Sequence, residues 1–148
     1  METSKLSREL IEAYNQQDVK KVDALIVQGL KAVSGTNEDW NRGNLLHQIH
    51  TIKGLLFLEN NEIEEAKEQL IKAIKVPKSP QLNGFGPNML LAKKLLEKGE
   101  AKVVLEYLDL SKHVWSLFTR FIPLLKWRND INKNRTPDFK ANLRYHLV

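Results

Sequence analysis

Apolar residues recur at three- and four-residue spacing along almost the whole chain, and no long segment alternates with period two. Such a pattern gives each segment one apolar helical stripe and leaves nothing to build a half-buried sheet. The predicted fold class is therefore all-α. Leu6, Leu10, Ile11 and Tyr14 share one helical face. Asp18 is placed to cap a second helix carrying Val19, Val22, Leu25, Ile26 and Leu30. Ser34-Gly35-Thr36-Asn37 reads as a loop. A third helix is predicted from about Asp39 to Glu59, presenting Leu45, Leu46, Ile49, Ile52, Leu55 and Leu56. Asn60-Asn61 makes a tight corner before a fourth, whose stripe is Ile63, Ala66, Leu70, Ala73 and Ile74. Glu68 and Lys72 on its outer side are spaced for an i,i+4 ion pair.

Residues 76–87 hold three prolines and two glycines in twelve positions and are predicted to interrupt the helices. Gly86-Pro87 reads as a helix entry, Asn88 to Lys98 as a short helix, and Gly99 as its terminator. A further helix starts near Glu100 with Val103, Val104, Tyr107, Leu108 and Leu110, and runs toward Trp115. A last helix carries Phe118, Phe121, Ile122, Leu124, Leu125, Trp127 and Ile131, and Pro123 must kink or break it. Phe118, Phe121, Leu125 and Trp127 are expected to close the apolar end of the domain. Thr136 to Val148 has no clear period and is expected to pack on the bundle as an extended tail.

At 148 residues the chain is expected to be a single domain spanning 1–148. Its 42% hydrophobic content suits a packed core rather than disorder. There is no cysteine, which excludes disulfides, thiolate metal sites and cysteine nucleophiles. No apolar run reaches the roughly 18 residues of a membrane span, and the first residues lack the apolar core of a signal peptide. A cytoplasmic location with no membrane partner is the expectation. Charge is uneven: residues 1–74 carry nine basic and twelve acidic side chains, net −3, and residues 75–148 carry fourteen and six, net +8.

The helices pair, and the pairs resemble one another. The clearest unit runs from His47 to Pro80. Gly54 is followed three residues later by Phe57, the next helix carries Ala66, Leu70 and Ala73, and prolines follow at 77 and 80. This resembles the tetratricopeptide repeat, in which small residues at the closest approach let two helices interlock. The unit departs from that pattern where it has His50 and Lys53 in place of large apolar residues. In a weaker later copy Ala92, Val104, Leu108 and Ser111 take the corresponding places, and in an earlier one Val22, Ile26 and Gly29 do. Gly43-Asn44-x-x-His47, Ser79-Pro80-Gln81-Leu82-Asn83-x-Phe85-Gly86-Pro87-Asn88-Met89 and Pro137-Asp138-Phe139-x-Ala141-Asn142-Leu143 are together similar to a group of bacterial tetratricopeptide-like proteins. The resemblance implies a short right-handed helical solenoid, with residues 112–148 as a capping helix and tail, in a bacterial cytosolic setting. It brings no reaction, cofactor or site residue with it.

Chemistry is sparse. His47 and His50 can face one side of a helix and supply half of a metal site, but no companion motif accompanies them. Neither a metal nor another cofactor is expected. Asn83-Gly84-Phe85-Gly86-Pro87 precedes a helix as a phosphate loop would, but it lacks the Lys and Ser/Thr of such loops. The leading reading is a non-catalytic module that binds another protein or a peptide in a groove. Asn44, His47, Gln48 and Thr51 would line that groove, joined by Gln81, Asn83, Phe85 and Asn88 of the polar loop. The alternative is weak nucleic-acid binding by the basic 112–148 segment. There Arg120, Lys126, Arg128, Lys133, Arg135, Lys140 and Arg144 would meet phosphates, and Trp115, Trp127 or Tyr145 would stack on bases. A metal-dependent enzyme built on His47 and His50 is a third reading.

Overall fold

A computed structural model describes residues 2–35 and 39–148. It contains eight α-helices and, among the described residues, no strand. They are α1 (Glu2–Asn15), α2 (Val19–Ser34), α3 (Arg42–Glu59), α4 (Ile63–Ile74), α5 (Pro80–Phe85), α6 (Leu90–Glu97), α7 (Ala101–Ser111) and α8 (Leu117–Asn132). A 3-10 turn at Lys140–Leu143 follows. Sequence neighbours pack as partners: α1 on α2, α3 on α4, α6 on α7, and α7 on α8. The third helix also touches α1, α2, α5 and α6, so it is enclosed on nearly every side. Leu45, Ile49, Ile52 and Leu55 fill its apolar surroundings.

Local chemistry accounts for the helix ends. The Asp18 carboxylate accepts from the Lys21 N–H, the expected cap of α2. Gln17 and Asn61 take left-handed conformations in the three-residue corners after α1 and α3. Gly99 does the same after α6, where a side chain would be strained. Glu68 and Lys72 form their ion pair at 3.1 Å. Gly54 stands at the close approach of its helix pair, where an added Cβ would lie 3.2 Å from Gln69 Cβ and 2.3 Å from Leu91 Cδ2. Gly43 is tighter still: a Cβ there would meet the Pro77 carbonyl oxygen at 1.8 Å.

Three expectations need correction, and the alternative left open at Pro123 is narrowed. The third helix begins at Arg42, because Asp39 is committed to bonds with Thr3 and the Asn41 N–H. Residues 80–85, read as loop, form a short helix: Pro80 sits in its first turn, where no amide donor is needed, and the Ser79 hydroxyl accepts from Leu82 N–H. Pro123 does not break the last helix, which continues to Asn132. The end of the domain is closed by Leu124, Trp127 and Ile131, whose spacing places them on one side of α8. Phe118, Phe121 and Leu125 lie beside that strip and are exposed. Trp127 is wedged between Trp115 and Phe139, with ring centroids 5.7 and 5.1 Å away. Of the expected loop at 34–37, Ser34 ends α2, while Thr36 and Asn37 fall outside the described residues.

Candidate functional site

The polar face of α3 carries Asn44, His47, Gln48 and Thr51, all buried. Burial of polar groups demands partners, and the chain supplies them from its own last residues. Gln48 Nε2 donates to the His146 carbonyl at 2.9 Å. Asn88 Nδ2, just before α6, donates to the Tyr145 carbonyl at 2.7 Å. Asn15 Nδ2, at the end of α1, donates to the Leu147 carbonyl at 3.2 Å. Three successive main-chain carbonyls are thus each held by a side-chain amide from a different element. The Met89 N–H adds a bond to the Asn142 carbonyl at 2.7 Å, and Asn142 Nδ2 reaches the carbonyls of Phe85 and Pro87, both at 3.0 Å.

His146 turns the tail. Its backbone is left-handed, at φ 69°, a costly conformation for a residue with a Cβ. There its Nε2 donates to the Gly86 carbonyl at 2.7 Å, and its ring packs edge-on against that of His47 at 5.2 Å. His47 itself is locked. Nδ1 donates to the Ala73 carbonyl at 2.7 Å, and Nε2 accepts from the Asn88 N–H at 3.0 Å. That pairing admits only the neutral ring with its proton on Nδ1. Burial, and then the neighbouring His146, push its pKa down to about 3. Burial also lowers His50 and His146.

Beside the tail lies an open cleft. Two adjoining hollows of 680 and 440 Å³ share Asn44, Gln48, Gln81 and Val148 in their walls. The larger lies between α1, which contributes Ser4, Ser7, Arg8 and Glu12, and α3. The smaller is bounded by Phe85, Arg144 and Tyr145. The buried amide oxygens of Asn44, Gln48 and Gln81 have no partner among the described residues. Three unpaired acceptors thus lie beneath the surface of the cleft floor.

The expected groove residues divide. Asn44, Gln48, Gln81 and Phe85 line the cleft, and Asn88 grips the tail. Thr51 is buried in the bundle and His47 is consumed by interhelical bonds, so neither faces a ligand. Asn83 is exposed, and its carbonyl accepts from the Ser116 N–H. Phe85 is exposed and leans on Tyr145 at 5.2 Å. Asn15 escaped the sequence reading, since nothing near it marks a contact so distant in sequence.

The other readings fare differently. His50 Nδ1 faces Gln69 Oε1 at 2.8 Å, so the two imidazoles serve separate interhelical bonds rather than a common ion. Among the described residues no three His, Cys, Asp or Glu side chains converge to hold a metal. In the 83–87 turn the Gly86 N–H is spent on the Leu82 carbonyl, leaving no nest for phosphate. Trp115 and Trp127 are buried and cannot stack on bases. Arg120 donates to the Lys112 and Trp115 carbonyls, Arg128 pairs with Asp109, and Arg135 pairs with Asp130. Comparison with family models, curated proteins and solved structures finds no match to this chain.

Proposed function

We propose that this protein is a non-catalytic peptide-binding module of the bacterial cytoplasm, folded as a short right-handed tetratricopeptide-like solenoid, and that its ligand is a short segment of another protein. The observation that carries this reading is the ladder of amides from Asn15, Gln48 and Asn88 on the carbonyls of residues 145–147. Side-chain amides directed at main-chain carbonyls grip a peptide without reading its sequence, the usual way a groove supplies affinity before side-chain pockets supply specificity. The first helices of successive pairs supply the wall, as the concave face of a helical solenoid would. The unpaired amide oxygens of Asn44, Gln48 and Gln81 lie just beneath the cleft, where rotation of these side chains on binding would turn them to the N–H groups of an incoming peptide. In this picture the tail is a resident ligand, and a partner either displaces it or lies alongside it.

A labelled peptide with the sequence of residues 142–148 tests this against the chain ending at Ala141. Saturable binding that Gln48→Ala and Asn88→Ala weaken is expected, with little binding to the full chain, whose own tail competes. A folded truncated chain, verified by circular dichroism, that does not bind the peptide would refute the proposal.

A further inference from the structure

Beside its buried strip, α8 presents Leu117, Phe118, Phe121, Ile122 and Leu125 to water. Phe118 is 95% exposed, and the other four lie between 55% and 60%. The apolar arc of α8 is wider than the strip the bundle covers, so part of it is left in water. A contiguous exposed patch of this kind marks an interaction surface.

Shape and charge select the occupant. Phe118 is almost wholly in water, so this end of the patch is a ridge, while Ile122 and Lys126 at its far side border a 430 Å³ hollow shared with Trp127, Asp130 and Phe139. The segment from Lys112 to Arg144 holds eight basic side chains and two carboxylates. Both carboxylates are engaged: Asp130 with Arg135 at 2.9 Å, and Asp138 with the Lys140 N–H at 3.0 Å. Asp109, which ends near this face on α7, is held by Arg128 and Lys112. Lys126 lies one turn beyond Ile122, and Lys133 follows the end of the helix. A second copy of the chain would set these like charges face to face. A nucleic acid would meet the lysines and leave the phenyl and aliphatic side chains in water. An anionic bilayer surface answers both features, because its acyl boundary takes protruding apolar side chains and its headgroups attract lysine.

We infer that α8 docks the protein, lying flat, on an anionic lipid surface, with Phe118, Phe121, Ile122 and Leu125 entering the acyl boundary and Lys126 and Lys133 meeting headgroup phosphates. The association is peripheral, since no helix among the described residues is long and apolar enough to cross a membrane. The expectation of no membrane partner rested on spanning length, which says nothing about a surface helix.

Co-sedimentation of the full chain with vesicles is the test. One set is phosphatidylcholine alone, the other phosphatidylcholine with an equal part of phosphatidylglycerol. Binding is expected only to the second set, weakening as salt rises. Phe118→Ser and Phe121→Ser each reduce it about tenfold, and Lys126→Glu also reduces it. The melting temperature stays unchanged in the phenylalanine variants, because those side chains already lie in water. Three results would overturn the inference: no binding to the anionic vesicles, binding that ignores the phenylalanine substitutions, or a concentration-dependent dimer that Phe118→Ser dissolves. None of them bears on the peptide groove, which lies on other helices.

Discussion

The side-chain amide of Gln48 donates to the main-chain carbonyl of His146 at 2.9 Å, joining residues 98 positions apart. It ties the middle of α3 to the last turn of the chain, and the flanking bonds from Asn88 and Asn15 make it one rung of a ladder. A net hydrogen bond of this kind contributes about 0.5–1.5 kcal/mol, and the buried side chains of Leu147 and Phe139 add apolar contact to these bonds in seating the tail.

Asn88 carries two of the bonds at this junction, since its Oδ1 also accepts from the Leu90 N–H at 2.8 Å and fixes the turn into α6. Asn88→Ala should therefore cost about 1–3 kcal/mol, more than Asn15→Ala, whose single bond lies nearer the surface. Urea denaturation of the two variants checks the order.

Histidine burial makes the fold acid-sensitive. His47 has a pKa of about 3 in the folded protein against 6.5 for the free side chain. The unfolded chain thus takes up a proton that the folded one refuses. Stability from His47 is complete above pH about 6.5, declines by about 1.4 kcal/mol per pH unit below it, and levels off near the folded pKa. The lowered pKa values of His50 and His146 act in the same direction. Denaturation midpoints measured across that window should fall with pH, and His47→Gln should flatten the slope.

Two glycines on α3 differ in what a methyl group would strike. At Gly43 it meets a backbone carbonyl, which cannot step aside, whereas at Gly54 the closest atom is the end of the Leu91 side chain. Gly43→Ala is therefore expected to lower the melting temperature more than Gly54→Ala. Gly54→Leu should destabilise by roughly 1–3 kcal/mol through overpacking. A Gly43→Ala protein that melts like the parent would place the Pro77 carbonyl elsewhere.

Trp127 joins the tail to the bundle through Trp115 and Phe139. Trp127→Ala is expected to cost about 3–5 kcal/mol, as for other buried aromatics. Ending the chain at Ser111 removes Trp115, Trp127 and Phe139 together and should expose the inner side of α7 and cause aggregation. Light scattering of the shortened chain checks this.

Helices were legible because each buries one stripe: Leu25 and Ile26, or Leu70 and Ala73, announce both element and buried side. Spacing is ambiguous where the apolar arc of a helix is wider than the strip it buries. On α8 nothing in the spacing says whether Leu124 or Phe121 faces inward, and the neighbouring Trp115 and Phe139 decide it. The α5 turn was hidden because Pro80 reads as a breaker unless it falls at a helix start. Asn44, Gln48, Gln81 and Asn88 stood out as amides beside apolar stripes. Their partners did not, because contacts to the 145–147 carbonyls depend on where the chain returns.

Hydrogen exchange of the Tyr145 and Leu147 amides in the full chain tests the amide ladder most directly. Both N–H groups bond within the tail, to the Ala141 and Arg144 carbonyls, so their protection reports whether the tail stays seated. The account predicts protection in the parent and exchange about fivefold to tenfold faster in Gln48→Ala and in Asn88→Ala. Amides in the middle of α4 should keep their rates. Unprotected tail amides in the parent, or rates indifferent to both substitutions, would contradict a groove that holds peptide backbone through its side-chain amides.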